Sequence, residues 1–250
     1  MKLNIAPNPE QLGAAAAERI SEKIRAAIDS KGHARIVLST GASQFETLAV
    51  LVREDIDWSK VTMFHLDEYV GLPITHPASF RKYLTERFAD IVHPGACHFV
   101  NGEGDVKENI RVLSAELTAE PIDVGVIGIG ENAHIAFNDP PADFETRESY
   151  IVVNLNERCK LQQVGEGWFA TTDDVPKQAI SMTPYRIMQC ETIISPVPGK
   201  RKAQAIYATL SGVGPDPAVP ATLLLTHPDF NLFLDEGSAS LCTQEMLART

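Results

Sequence analysis

The stretch Ile122-Asp-Val-Gly-Val-Ile-Gly-Ile-Gly-Glu-Asn-Ala-His-Ile-Ala-Phe-Asn-Asp-Pro140 decides the predicted fold, because it joins a buried strand to a cluster of polar residues. Residues 124–129 are apolar or glycine without polar alternation, which is typical of a strand buried on both faces of a parallel sheet. Open α/β sheets bind ligands where such strands end. The residues that follow therefore mark a candidate site: Glu131, Asn132, His134, Asn138 and Asp139.

His134 and Asp139 give this candidate site its chemistry. They are five residues apart, so a compact turn can bring the carboxylate onto one imidazole nitrogen and fix the tautomer of the ring. Gly128-x-Gly130 by itself is a weakly specific pattern, and a glycine turn followed by a solvated polar loop would look the same. The interpretation therefore depends on the other motifs of the chain.

Length, charge and cysteine content limit the class of protein. We expect residues 1–250 to form a single domain, since this length suits one α/β unit. The formal net charge of -11 disfavours nucleic acid and anionic membranes as partners, so an anionic ligand must be bound by backbone amides and a few placed cations. The scattered cysteines and the lack of a signal or membrane-length segment predict a cytoplasmic enzyme without a metal, cofactor or disulfide framework.

A loop of small residues, Ser39-Thr40-Gly41-Ala42-Ser43, is a candidate anion site. It follows a strand predicted at residues 34–38 and precedes a helix predicted at residues 44–52. Unpaired amides and the helix dipole would point at this loop and favour a bound phosphate. An ordinary strand-to-helix connection with a serine cap is the alternative.

Two adjacent carboxylates, Asp67 and Glu68, follow a strand predicted at residues 58–66. In strand geometry they face opposite sides, so at most one points directly at a substrate. Capping or turn formation is the alternative role for each. Further along, Pro198-Gly-Lys-Arg-Lys-Ala203 opens a predicted helix with three cations, which oppose the helix dipole unless an anion is bound nearby.

The remaining pattern alternates predicted strands with predicted helices. It indicates an α/β protein with an open, mostly parallel sheet flanked by helices on both faces, a modified Rossmann-like fold. The other strands are predicted at residues 2–6, 150–155, 179–182, 192–195 and 231–234. The other helices are predicted at residues 9–30, 80–92, from 105 or 108 to 117, 183–190 and 220–225.

Two motifs together resemble the glucosamine-6-phosphate deaminase family, within a broader group that includes 6-phosphogluconolactonases. They are Leu66-Asp-Glu-Tyr-Val-Gly-Leu72 with His76-Pro77, and Gly128-x-Gly130 with His134-Ile-Ala-Phe-Asn-Asp-Pro140. The resemblance covers nearly the whole chain in order, more loosely at the 39–43 loop and around Lys202. It implies a metal-free isomerisation of an amino-sugar phosphate that releases ammonia and gives fructose 6-phosphate.

The same resemblance implies roles for individual residues. Asp67 matches the base that moves a proton between C2 and C1, and His134 matches the residue that opens the pyranose ring. Asp139, where the family usually has Glu, would orient the imidazole. Asn132 stands where members carry Asp or Asn, and it can hold a hydrogen bond but cannot titrate. The substrate would also contact Glu68, and its phosphate would contact the 39–43 loop and Lys202.

The chain also departs from the family. Residues 162–169 contain no Arg, although the best-known members use an Arg in this region for the phosphate, and the basic allosteric segment of the regulated members is missing. Allosteric activation is therefore not implied, and the oligomeric state stays open, a homo-oligomer included.

Three other functions are alternatives to the predicted deaminase. They are a galactosamine-6-phosphate deaminase or isomerase, a 6-phosphogluconolactonase and, outside the enzymes, a sugar-phosphate sensor domain. Lactone hydrolysis needs no base at C2, and no helix-turn-helix precedes Lys2, so we expect the deaminase.

Overall fold

The computed structural model of the chain describes residues 1–248 and contains two sheets. Seven strands form a parallel sheet in the order β1-β10-β9-β6-β2-β3-β5, and three form an antiparallel sheet in the order β4-β8-β7. The strands are β1 (Lys2–Ala6), β2 (Ala34–Leu38), β3 (Val61–His65), β4 (Asp67–Tyr69), β5 (Ala96–His98), β6 (Val124–Val126), β7 (Tyr150–Asn154), β8 (Gln178–Met182), β9 (Thr192–Val197) and β10 (Phe230–Asp235).

Helices connect these strands. They are α1 (Pro9–Lys31), α2 (Phe45–Leu51), α3 (Phe80–Leu84), α4 (Asp90–Val92), α5 (Val106–Thr118), α6 (Glu157–Gly165), α7 (Pro184–Ile187), α8 (Ala203–Ser211) and α9 (Gln244–Ala248). A π-helical turn, Thr85–Ala89, joins α3 to α4, and short 3-10 turns include Ala42–Gln44, Trp58–Lys60, Lys200–Lys202 and Pro220–Thr226. No helix in this part of the chain combines the length and hydropathy needed to span a bilayer.

The central strand β2 is buried on both faces of the large sheet. Ile36 and Leu38 pack into a core shared with α1, whereas Val37, which points the other way, packs into a core shared with α5 and α8. Helices therefore cover both faces, and the predicted α/β class with a mostly parallel sheet is confirmed.

Helix α1 begins and ends as predicted. The side chain of Asn8 accepts a hydrogen bond from the Gln11 amide at 2.9 Å, and Pro9 occupies the first turn. Gly32 ends the helix in the left-handed conformation with φ of 86°.

The small antiparallel sheet was not predicted. The strands predicted at residues 150–155 and 179–182 exist, but they pair with each other and with β4 and lie outside the parallel sheet. Two other strands are shorter than predicted, because Trp58–Lys60 forms a 3-10 turn before β3 and β6 ends at Val126. The small sheet has a functional consequence, since it holds Asp67 beside the ends of the parallel strands.

The order of strands brings four loops together. From β2 the chain proceeds to β3 and β5 on one side, and it then returns to place β6 and β9 on the other side of β2. The loops after β9, β6, β2 and β3 consequently lie side by side at the carboxyl edge. Ligands bind open α/β sheets at such a change of direction.

Candidate active site

A cleft open to solvent lies at this carboxyl edge and encloses about 590 Å³ of space between its walls. Most of the sequence-predicted site residues line it, namely Ser39, Thr40, Gly41, Ser43, Asp67, His134 and Lys202. Residues that the sequence did not single out also line it, among them Phe80, Phe137, Gln162, Gln163 and Glu166. One cavity therefore collects residues from six separate segments of the chain.

Asp67 is the first residue of β4 and faces the cavity from the side of the small sheet. Its side chain is almost completely withdrawn from water, with 7% of the residue exposed. Burial, together with the neighbouring charge of Glu68, raises the pKa of Asp67 to about 8. A carboxyl group that titrates near neutrality can both accept and return a proton during turnover.

Glu68 faces away from the cavity, so its prediction as a substrate-binding residue is corrected. The residue is 0% exposed, and its carboxylate accepts hydrogen bonds from the Ser79 hydroxyl at 2.8 Å and the Arg81 amide at 2.9 Å. It also accepts from the amides of Tyr69 and Phe80 at 3.0 and 3.2 Å. Because these donors surround the start of α3, Glu68 fixes that helix to β4 and so holds Asp67 in place.

His134, Asn132 and Asp139 form one hydrogen-bonded group. The Nδ1 atom of His134 lies 2.6 Å from Asn132 Oδ1 and 3.2 Å from Asp139 Oδ1, and Asn132 Nδ2 donates to Asp139 Oδ1 at 3.0 Å. Two acceptor oxygens at Nδ1 assign the ring proton to that atom, which leaves the Nε2 lone pair available. Asn132 and Asp139 do not line the cavity and support the imidazole from behind.

The charge of Asp139 is maintained in this arrangement. Burial acts to raise its pKa, but the hydrogen bond and charge of His134, together with the Asn132 amide, hold the pKa below its ordinary value. An ionised Asp139 can stabilise the imidazolium that forms when His134 accepts a proton.

Gly130 is required by the close approach of the His134 ring. A Cβ atom at Gly130 would overlap the imidazole, and the turn is closed by hydrogen bonds from the Gly130 amide to the His134 carbonyl and from the Ala133 amide to the Gly130 carbonyl. At Gly128 a Cβ atom would lie 3.3 Å from the Gln44 amide nitrogen. The two glycines of the Gly-x-Gly pattern therefore leave room for the side chains of His134 and Gln44.

The loop at residues 39–43 is held from two sides. The Tyr83 hydroxyl donates to the Gly41 carbonyl at 3.0 Å, and Gln44 Nε2 donates to Ser43 Oγ at 3.2 Å and to the Pro196 carbonyl at 3.4 Å. Ala42 does not line the main cavity but an adjoining cleft, which also contains Ser43 and Lys202.

Lys202 supplies a buried cation at the same end of the cavity. The turn after β9 carries it inward, and the residue is 8% exposed. Its ammonium makes no hydrogen bond or ion pair with any residue in the range 1–248. Burial lowers its pKa, an effect that the charges of Glu166 and Glu131 oppose. A buried ammonium without a direct partner that faces a cavity is suited to an anionic ligand.

Helix α6 and the residues after it close the cavity. Gln163 accepts a hydrogen bond from the Tyr69 hydroxyl at 2.6 Å, and this bond connects α6 to the small sheet. The sequence indicated this region only by the missing Arg, because its polar residues show no clear periodicity. Within the described residues no group of three or more His, Cys, Asp or Glu side chains is arranged to hold a metal ion.

Comparison with known proteins agrees with this architecture. The model of the family described as glucosamine-6-phosphate isomerases/6-phosphogluconolactonase matches residues 7–232. The chain therefore belongs to this family of sugar-phosphate enzymes, and the resemblance drawn from its motifs is confirmed. It is 34% identical to a glucosamine-6-phosphate deaminase from Thermoanaerobacter pseudethanolicus, over 99% of this chain and 97% of the relative. It is 32% identical to one from Bacillus cytotoxicus, over 98% and 90% of the two chains.

Solved structures give the same result. The structure of a monomeric glucosamine-6-phosphate deaminase matches with a TM-score of 0.86 and 30% identity, covering 96% of this chain and 100% of that one. A 6-phosphogluconolactonase from Thermotoga maritima matches with a TM-score of 0.77 and 13% identity, covering 94% and 98% of the two chains, and shares the fold alone.

Proposed function

We propose that this chain converts glucosamine 6-phosphate and water to fructose 6-phosphate and ammonia. The observation that carries the proposal is the shared cavity, which holds a carboxyl group with a pKa of about 8, a histidine with an assigned tautomer and a buried unpaired ammonium. These are the groups needed for proton transfer at carbon, for ring opening and for phosphate binding. The substrate phosphate binds Lys202 and the 39–43 loop, which directs the sugar towards Asp67 and His134.

Ring opening is the first step. The free Nε2 atom of His134 accepts the proton of the C1 hydroxyl and returns it to the ring oxygen as the C1–O5 bond breaks, which yields the open-chain aldehyde. The carboxylate of Asp139 stabilises the transient imidazolium through Nδ1, and Asn132 keeps the ring oriented.

Isomerisation and deamination follow. Ionised Asp67 removes the C2 proton and delivers it to C1, while the C1 oxygen gains a proton and the amine loses one. The amino aldehyde is thereby converted into a C2 imine with a hydroxyl group on C1. Water adds to the imine carbon, and cleavage of the C–N bond releases ammonia and leaves the C2 ketone of fructose 6-phosphate. Burial of Asp67 supports this role, because it brings the pKa near neutral pH, where proton transfer in both directions is efficient.

Lactone hydrolysis and ligand sensing receive less support. Neither needs a base at C2 with a pKa near neutrality, and the structural match to the lactonase from Thermotoga maritima concerns the fold only. The preference between the two C4 epimers depends on contacts to one hydroxyl group. Glucosamine and galactosamine phosphates therefore have to be compared directly. We test the proposal with a coupled assay of ammonia release from both phosphates. Release from neither substrate would refute it.

Lys202→Ala should weaken sugar-phosphate binding by about 1.5 to 3 kcal/mol, the range for a charge-assisted hydrogen bond. The ammonium is buried and has no other partner, whereas turnover at saturation depends on Asp67 and His134 and should change less. The Michaelis constant and kcat of the variant measure the two effects. Lys107→Ala is the control, because Lys107 lies exposed on α5 and lines neither the cavity nor the adjoining cleft. An unchanged Michaelis constant in the Lys202 variant would move the phosphate elsewhere.

Gly130→Ala should lower turnover by on the order of a hundredfold, because the new methyl group displaces the His134 ring from its position. The assay is ammonia release, with circular dichroism to verify the fold. Gly214→Ala is the matched control, since a Cβ atom there meets no neighbour within 4 Å. Full activity in the Gly130 variant would show that the close contact with His134 has no catalytic role.

We further propose that residues 1–250 act as one sugar-phosphate domain and that the enzyme works in the cytoplasm as a hydrolase of N-acetylglucosamine breakdown. The family match over residues 7–232 and the free thiols of the four cysteines support these assignments. Fractionation of cells that express the chain, with detection by antibody, tests the location.

A further inference from the structure

A carboxylate is built into the phosphate end of the cavity. Glu166 lines the cavity with Ser43 and Lys202, and the same three residues line the adjoining cleft. Two residues close to Glu166 in the sequence bind its carboxylate oxygens. Gln162 Nε2 donates to Oε1 at 2.8 Å, and Trp168 Nε1 donates to Oε2 at 3.1 Å. Each carboxylate oxygen has a second lone pair, so Glu166 can still accept a hydrogen bond from a ligand.

Trp168 also connects this carboxylate to the phosphate loop. Its ring packs edge-on against Tyr83, with ring centroids 6.5 Å apart, and the Tyr83 hydroxyl donates to the Gly41 carbonyl. Glu166 and the loop thus belong to one packed unit. The carboxylate therefore stays beside a bound phosphate unless these contacts break.

The Glu166 carboxylate and the Lys202 ammonium are separate charges. They do not form an ion pair in residues 1–248, although Glu166 and Glu131 both act electrostatically on the ammonium. Both groups consequently remain available to a ligand. The other charged or titratable groups around the cavity and its cleft are Glu46 at the start of α2, Asp67 on β4, His134 after β6, and Lys200 and Arg201 in the turn before α8.

The Glu166 carboxylate is a hydrogen-bond acceptor and the Lys202 ammonium is a donor. Together they suit the monoanion of a phosphate monoester better than the dianion. The dianion has acceptor oxygens only, and one of them would face the carboxylate without a proton between the two, which is repulsive. The monoanion has one P–OH group that donates. We infer that this site binds the singly protonated phosphate, with Lys202 and the loop amides donating to its charged oxygens and Glu166 accepting from its P–OH group.

This inference deepens the proposed function and rests on it for the identity of the sugar. It makes Glu166 a specificity-determining residue with two measurable consequences. Affinity for a phosphate monoester should fall as pH rises above about 6, where the second proton of the group is lost. A sulfate monoester carries no proton in this pH range and should be rejected.

Calorimetric titration with glucitol 6-phosphate and glucitol 6-sulfate tests both consequences, because neither ligand has the amine or carbonyl needed for reaction. For the unmodified protein, we expect phosphate affinity to drop by about tenfold or more between about pH 5.5 and pH 8, and the sulfate to bind at least about tenfold more weakly at the lower pH. Glu166→Gln should remove most of this pH dependence, bind the phosphate more tightly than the unmodified protein at the higher pH, and accept the sulfate.

Loss of the Lys202 charge would also weaken binding at high pH, since burial lowers the pKa of that group. Loss of the Lys202 charge would weaken the binding of both ligands and would persist in the Glu166→Gln variant. These two features distinguish it from the effect of Glu166. Glu157→Gln is the matched control, because Glu157 lies on α6 with its side chain 75% exposed, and it should behave like the unmodified protein.

Equal affinity for phosphate and sulfate, or phosphate affinity that stays constant or rises above about pH 6, would overturn the inference. The ligands do not react, so the result is independent of catalysis. A protein with this selectivity that released no ammonia from hexosamine phosphates would refute the proposed reaction and leave the role of Glu166 supported.

Discussion

Asp67→Asn should lower the turnover of glucosamine 6-phosphate by at least about a hundredfold, the usual effect of losing a positioned general base, while sugar-phosphate binding stays nearly intact. The amide keeps the shape of the side chain but cannot accept the C2 proton. In the proposed mechanism, binding depends on Lys202 and the 39–43 loop, which are separate from this position. The measurements are kcat from ammonia release and ligand affinity by calorimetry. A variant that kept more than about a tenth of the normal rate would exclude Asp67 as the base.

The same variant should be more stable than the unmodified protein at neutral and alkaline pH. The Asp67 carboxyl has an ordinary pKa of 3.8 and a folded-state pKa of about 8. Below the lower pKa, the Asp67 carboxyl is protonated in both the folded and the unfolded state. Between the two pKa values, each unit rise in pH lowers the free energy of unfolding by about 1.4 kcal/mol. Above the higher value the cost is constant. The Asn variant has no such cost, so its free energy of unfolding should exceed that of the unmodified protein by on the order of 5 kcal/mol at pH 8 and converge with it near pH 4.

This stability difference serves as a control for the loss of activity. Denaturant unfolding at both pH values measures it, and an inactive variant with increased stability cannot have lost activity by unfolding. Equal pH dependence in the two proteins would mean that the pKa of Asp67 is not raised by burial. In that case the carboxyl would be an ordinary acid, and the argument for its role near neutral pH would fail.

His134→Gln should lower forward deamination by on the order of a hundredfold or more, yet retain much of the exchange of the C1 proton of fructose 6-phosphate. In the His134→Gln variant, ring opening should limit the forward reaction, because the substrate enters as a closed pyranose. Fructose 6-phosphate enters with a larger open-chain fraction, and its early proton transfer at C1 needs Asp67 alone. Exchange with solvent deuterium in the presence of ammonium, followed by NMR, measures this step separately from deamination.

Asp67→Asn is the matched comparison for this experiment, because it should lose both activities. Equal loss of exchange and deamination in His134→Gln would assign the histidine to isomerisation or to holding the site together. The separation of roles between His134 and Asp67 would then be wrong.

The sequence predicts the parallel sheet because its buried strands have a local signature. Residues 34–38 and 192–195 are short runs between turn signals, apolar or small apart from Arg35, and both lie in the large sheet. The small sheet has no such signature. Its strands β4, β7 and β8 are three short segments far apart in the chain, and only their tertiary pairing, such as Asp67 opposite Ser181, distinguishes them from strands of the parallel sheet.

The candidate site was predictable where its residues are close in sequence. Asn132, His134 and Asp139 lie within one turn-rich stretch, so their contact follows from local geometry. Glu68 and Glu166 could not be assigned in this way. The partners of Glu68 lie at residues 79–81, and the position of Glu166 beside Lys202 depends on how α6 packs over the cavity. For Glu68 and for Glu166, the role of the side chain depends on tertiary contacts between distant segments, and the sequence pattern does not predict those contacts.

The most direct measurement compares glucosamine 6-phosphate with 6-phosphogluconolactone as substrates of the unmodified protein, with the Asp67→Asn variant as control. The proposed mechanism predicts that glucosamine 6-phosphate yields ammonia and fructose 6-phosphate in equal amounts, that this reaction is lost in the variant, and that the lactone is hydrolysed no faster than without protein. Rapid hydrolysis of the lactone without release of ammonia from glucosamine 6-phosphate would contradict it.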